Sequence, residues 1–91
     1  MADRRPKNPA EGDFWDHMIQ SGWEITKKGA PDFFCWKGER FCCVEVKAYR
    51  GRKLKREQRK VLRALSKRGI ECYRWDPDEG FIKISGNIHI L

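Results

Sequence analysis

Apolar and polar residues alternate in two rhythms along this chain. From Glu11 to Ser21 the apolar positions Phe14, Trp15 and Met18 recur at helical spacing and Gly22 ends the run, which predicts an amphipathic helix. Trp23–Thr26 predicts a short strand. Phe33–Trp36 and Arg40–Lys47 are rich in aromatic and β-branched residues around Lys37-Gly38, the pattern of two antiparallel strands joined by a short loop. From Leu54 to Arg68 the helical period returns. Leu54, Val61, Leu62 and Leu65 form its expected buried stripe, and Gln58 falls on that stripe. Ile70–Trp75 predicts another strand, Asp76-Pro77-Asp78-Glu79-Gly80 a turn, and Phe81–Ser85 with Asn87–Leu91 a terminal hairpin across Gly86. Residues 1–10 are polar with two prolines and read as a loose basic tail, leaving 11–91 as a single domain with a modest core. The order αβββαβ predicts an α/β fold with a mixed central sheet flanked by helices.

The predicted hairpin gathers chemistry. If Trp36 faces Glu39 across a two-residue loop, paired positions sum to 75; Asp32 then lies opposite Cys43, with Glu45 its diagonal neighbour on the same face. Glu45 and Lys47 are two apart and share that face, while Val44 and Val46 point the other way into a core. Asp32, Glu45 and Lys47 therefore converge on one patch. Carboxylate oxygens are the ligands Mg²⁺ and Mn²⁺ prefer. A divalent ion there neutralises phosphate charge and lowers the pKa of bound water. Lys47 is placed to position or deprotonate that water or to stabilise a developing oxyanion, and these roles stay open. An ordinary polar strand face is the bland alternative. Gln58, on an apolar stripe, must find hydrogen bonds or cost stability. It either supports the site from against the sheet or sits partly in water.

Three segments carry a resemblance: Gly29-Ala30-Pro31-Asp32, Val44-Glu45-Val46-Lys47 and Leu54-Lys55-Arg56-Glu57-Gln58. Together they resemble the PD-(D/E)xK nuclease superfamily and, within it, the VRR-NUC (virus-type replication-repair nuclease) family, over roughly Glu11 to Trp75. The resemblance implies a restriction-endonuclease-like core and a Mg²⁺- or Mn²⁺-dependent endonuclease. It implies metal binding by Asp32, Glu45 and the Val46 backbone carbonyl, with Lys47 catalytic. Glu11 shares the inward face of its helix with Phe14 and Trp15. It either serves the helix dipole or, as the resemblance implies, reaches the metal directly or through water. Lys55 stands where the family often has Ser or Thr, so a hydroxyl N-cap is missing there.

Charge adds the partner. The chain carries 20 Lys and Arg against 13 Asp and Glu, a net charge of +7, and this calls for an anionic partner. Between Lys47 and Arg68 stand eleven Lys or Arg and one acid, Glu57. Lys28, Arg50, Arg52, Lys53, Lys55, Arg56, Arg59, Lys60 and Arg63 are the expected DNA-contacting set, giving salt-dependent, mostly sequence-independent binding. No segment is long or apolar enough to enter a membrane. Without a visible signal peptide, and with Cys35, Cys42, Cys43 and Cys72 lacking a C-x-x-C pair, a cytoplasmic protein with buried reduced thiols is expected.

These features lead to a structure-selective DNA endonuclease of branched DNA such as four-way junctions, acting as a homodimer. Trp15, Trp23 and Ile88–Leu91 offer interface material, unless they complete the monomer core. The alternatives are a non-catalytic basic nucleic-acid-binding module and a nuclease of flaps or plain duplex. An RNA nuclease is disfavoured by the lack of an obvious exposed aromatic stacking platform.

Overall fold

The structure, a computed structural model, describes residues 5–27 and 32–84. Its elements run α1 (Pro9–Gln20), β1 (Glu24–Lys27), β2 (Phe33–Lys37), β3 (Arg40–Val46), α2 (Arg56–Lys67), β4 (Glu71–Asp76) and β5 (Gly80–Ile84). The strands form one mixed sheet in chain order. β1, β2 and β3 form an antiparallel meander, β4 joins β3 in parallel through α2, and β5 returns antiparallel to β4.

The first helix begins two residues earlier than the apolar periodicity predicts. Asn8 caps it by accepting from the Glu11 amide at 3.1 Å, and Pro9 occupies the first turn, where its missing N–H costs nothing. The basic segment is tied back as well, since Arg5 forms a two-point contact with Asp16.

The β2–β3 hairpin corrects the expected register. Lys37 pairs with Arg40 and Phe33 with Val44, so partners sum to 77 rather than 75. The two loop residues are Gly38 and Glu39, with Gly38 at φ +59° in the first loop position, where a type II′ turn needs a glycine. A shift of two preserves the faces. Continued by one residue, the ladder sets Asp32 across from Glu45 rather than Cys43.

Two cores flank the sheet. Against α1 pack Phe14, Trp15, Met18, Phe33, Val44, Val46 and Trp75. Against α2 pack Cys43, Leu62 and Cys72, with Phe34, Leu54, Leu65 and Ile84 partly buried around them. Val61, expected in the stripe, is 38% exposed; the face of α2 toward the sheet runs through Gln58, Leu62 and Leu65, and Val61 lies to its side. Phe81 belongs to the strand that returns along β4, and the expected second arm of a terminal hairpin, Asn87–Leu91, lies outside the described residues. All four cysteines are buried free thiols, as expected. No helix among the described residues is long and apolar enough to cross a membrane.

Candidate active site

β3 is covered on both sides. Its even positions from Cys42 to Val46 face α1 and are apolar. Its odd positions face α2 and include Glu45, and Lys47, one residue beyond the strand, continues that face; the two are 2% and 7% exposed. Burying charged groups this far is costly unless they are paired and hydrogen-bonded, and here they are.

The central connection is Gln58. Its Nε2 donates to Glu45 Oε2 at 2.7 Å. Its Oε1 accepts from Lys47 Nζ at 2.8 Å and from the Lys55 amide at 2.8 Å. One side chain thus orients the carboxylate, holds the ammonium and closes the first turn of α2. The last bond answers the missing hydroxyl cap: the third helical residue reaches back to the N-cap amide, and α2 starts at Arg56. Lys55, an ammonium, has no acceptor with which to return the second bond of a capping box.

Asp32 completes the cluster. Its Oδ2 accepts from the Val46 amide at 3.1 Å, and its own amide points at Glu45 Oε1 at 3.4 Å. Lys47 Nζ lies 3.9 Å from Glu45 Oε2. Burial first, and then the facing Asp32 carboxylate, push the Glu45 carboxyl up to about 7, against the pull of Lys47. Two carboxylates crowded into a half-dry site with one nearby lysine are short of positive charge, a donor set of the chemistry a hard divalent cation prefers. Among the described residues there is no cluster of three or more His, Cys, Asp and Glu able to hold a metal, so the site offers two protein carboxylates.

Asp32, Glu45, Val46, Lys47 and Gln58 are therefore brought together, Val46 through its amide N–H. Glu11 is not in this hydrogen-bond network. It lies on α1, across the sheet from Gln58, and its carboxylate is 3.7 Å from Lys27 Nζ. Lys28 lies outside the described residues. Arg50, Arg52, Lys53, Lys55, Arg56, Arg59 and Lys60 are exposed, and Arg63 is half-buried. They ring the entrance to α2 and its outer side. Arg59 is fixed there by its bond to the Leu54 carbonyl at 2.9 Å. Further along the helix, Lys60, Arg63, Ala64, Lys67 and Arg68 line a shallow basic groove of about 350 Å³. A cavity of about 320 Å³ lined by Met18, Trp23, Arg40, Tyr73 and Phe81 lies on the α1 side, away from the carboxylates.

Sequence reasoning missed Arg74 and Asp76. Arg74 stands beside Glu45 in the parallel register and is 9% exposed. It donates to Asp76, and its Nη2 also meets the carbonyls of Tyr49, Arg50 and Arg52 at 3.1, 3.2 and 2.6 Å. Asp76, fully buried, accepts from the Asp78 and Glu79 amides at 2.8 and 2.7 Å. Burial pushes the Asp76 carboxyl up, but the bonds from Arg74 and from the two amides outweigh it and hold the group below its ordinary value. The pair fixes the loop that joins Lys47 to α2. An arginine between the aromatic residues Tyr73 and Trp75 of a strand was the available signal, because such a charge must have a partner when buried.

No protein-family model, curated protein or solved structure matches this chain.

Proposed function

We propose that this protein is a divalent-metal-dependent DNA endonuclease with a restriction-endonuclease-like core, and that its site is the Asp32, Glu45, Lys47 and Gln58 cluster. The observation that carries this is the facing pair of carboxylates, Glu45 buried and Asp32 half-buried, beside an oriented lysine. Phosphate binding alone gains nothing from two converging acids, which repel it unless a cation intervenes. The basic loop and outer side of α2 supply what a DNA backbone needs beside that site.

Asp32 and Glu45 would hold Mg²⁺ or Mn²⁺, with the Val46 carbonyl as the third donor that the family resemblance implies. When bound, the ion supplies charge neutralisation at the phosphate and a more acidic water. The other steps belong to side chains. Gln58 keeps one Glu45 oxygen and the Lys47 ammonium in fixed positions, so neither must be ordered when substrate arrives. Lys47, held by Gln58, is aimed at the patch where an attacking water or a developing charge on the phosphoryl oxygens would lie. Arg50, Arg52, Lys53, Arg56 and Lys60 receive the flanking phosphates, contacts that position the duplex without reading its bases.

The preferred substrate is branched DNA and the active form a homodimer. Symmetric cutting of a four-way junction needs two sites related by a two-fold axis, which a C2 dimer provides. Trp15 is buried within the monomer and completes its core, while Trp23 packs only partly buried against the same core beneath the Arg40 guanidinium, and Ile88–Leu91 lies outside the described residues. Cleavage of labelled four-way junctions, flaps and linear duplexes with Mg²⁺, Mn²⁺ or EDTA, with Glu45→Ala beside the native chain, tests the assignment. Undiminished cutting in EDTA or by Glu45→Ala defeats it. Sedimentation at micromolar concentration tests the dimer.

A further inference from the structure

Tyr49 is 52% exposed and stands two residues beyond Lys47, in the turn that begins the basic segment. The turn is closed by the Arg52 amide, which donates to the Tyr49 carbonyl at 3.1 Å. Arg74 grips three of its carbonyls from below, and the Arg50 amide donates to Asp78 Oδ2 at 3.0 Å. The backbone of Tyr49 is thus held from two sides while its side chain faces water. The other exposed aromatic residues differ. Phe41 stacks on Phe34 at 5.9 Å, and Phe81 meets Tyr73 at 5.4 Å and Phe14 at 5.9 Å. Among the described residues the Tyr49 ring meets no other aromatic ring. No aromatic stacking platform is obvious in the sequence, but an aromatic ring exposed on an anchored turn, with Arg50, Arg52 and Lys53 exposed beside it, has the composition of a site that stacks a nucleobase while cations hold the adjoining phosphates. Because the turn is already ordered, little freedom is lost on binding.

We infer that Tyr49 is a specificity-determining residue that stacks on an exposed DNA base face next to the scissile phosphate. The inference rests on the nuclease assignment above and supplies a physical source for selectivity toward branched DNA. In a continuous duplex every base face is covered by its neighbours. At a branch point, flap or frayed end a face is open, and only there does the ring gain a contact.

The test compares Tyr49→Ala and Tyr49→Phe with the native chain. The probes are a flap DNA carrying 2-aminopurine at the unpaired junction base and a fully paired duplex of the same length. Binding and fluorescence are read in EDTA, where nothing is cut. The expected result is quenching of the 2-aminopurine by the native chain and by Tyr49→Phe, but not by Tyr49→Ala. Tyr49→Ala should lose about tenfold in affinity for the flap and less than twofold for the duplex. Equal losses on both DNAs, or unchanged quenching in Tyr49→Ala, overturn the inference, as does a native chain that binds neither. Intact Glu45-dependent cutting together with a silent Tyr49→Ala removes this inference alone. Tyrosine-dependent quenching in a protein that cuts nothing removes the nuclease assignment and leaves base stacking in place.

Discussion

The two faces of β3 and the residue that follows it solve opposite problems. On the α1 side, Val44 and Val46 meet Phe14, Phe33 and Trp75, with Phe14 and Phe33 in ring contact at 5.3 Å. That face needs only volume and apolar surface. On the α2 side, Glu45 and Lys47 are as buried as the valines, yet each requires a partner of fixed geometry. The residues that meet them, Gln58 from α2 and Asp32 from just before β2, do so through hydrogen bonds. One face holds the sheet together. The other keeps crowded charge in place at a cost in stability, a trait that functional sites share.

The sharpest way to separate the faces is to mutate one residue on each. Glu45→Ala or Asp32→Ala should abolish cutting, by at least about a thousandfold, while the protein stays folded. Phe14→Ala should instead cost about 3–5 kcal/mol of stability, a large part of what a domain of this size possesses. Urea titrations beside cleavage rates read both. A Glu45→Ala protein that unfolds and a Phe14→Ala protein that does not would erase the distinction. Lys47→Ala should also stop cutting, but Mg²⁺ affinity measured by calorimetry should stay within a few-fold of native.

The pH dependence probes the α2 face without any substrate. The folded Glu45 carboxyl is raised to about 7 from an ordinary 4.5. Between those values the folded state holds more protons than the unfolded one, so its contribution is full below about 4.5 and is lost as pH rises through about 7. Without metal, stability should fall by up to about 3 kcal/mol across that window, and Glu45→Gln should flatten the fall. Mg²⁺ should therefore raise the melting temperature more at pH 8 than at pH 6, and EDTA should reverse it. A metal-induced shift that is the same at both pH values, or that persists in Glu45→Ala, would place the ion elsewhere.

Gln58 gives a smaller effect on both properties at once. Gln58→Ala leaves Glu45, Lys47 and the Lys55 amide each short of a partner, a loss of about 1–3 kcal/mol, and should lower the cutting rate by about ten- to a hundredfold. A substitution that slows cutting without lowering stability would mean that α2 does not need this cap. The smallest change per residue belongs to the basic surface. Replacing Arg56, Arg59 and Arg63 by Gln should weaken binding of every DNA alike and flatten its salt dependence by about two to three phosphate contacts. An unchanged salt slope would assign the DNA to another side of the molecule.

Much of this was legible in the sequence. Periodicity located both helices and all five described strands to within two or three residues. The spacing of Asp32, Glu45 and Lys47 put them on one face even though the assumed register was off by two, because side chains repeat every second residue in a strand and an even slip keeps the face. Gln58 on an apolar stripe was an unpaid polar group whose partner had to be close. Glu11 marks where helical periodicity stops being informative. It fixes the inward stripe, but Lys27 captured the carboxylate, and that contact depends on how β1 lies beneath α1.

What the tertiary structure alone decided was which charges are shared. Gln58 reaches Glu45, Lys47 and Lys55 together because α2 crosses over the parallel β3–β4 pair. Arg74 and Asp76 fix the loop from Tyr49 to Arg52 because β4 runs beside β3 and its even positions face the same side. Local sequence sets period, face and propensity, since these depend on neighbours within a few residues. Arg74 and Asp76 find each other two residues apart, but the partners that tie these charges to other elements lie eleven to twenty-five residues away along the chain, and only chain packing selects those.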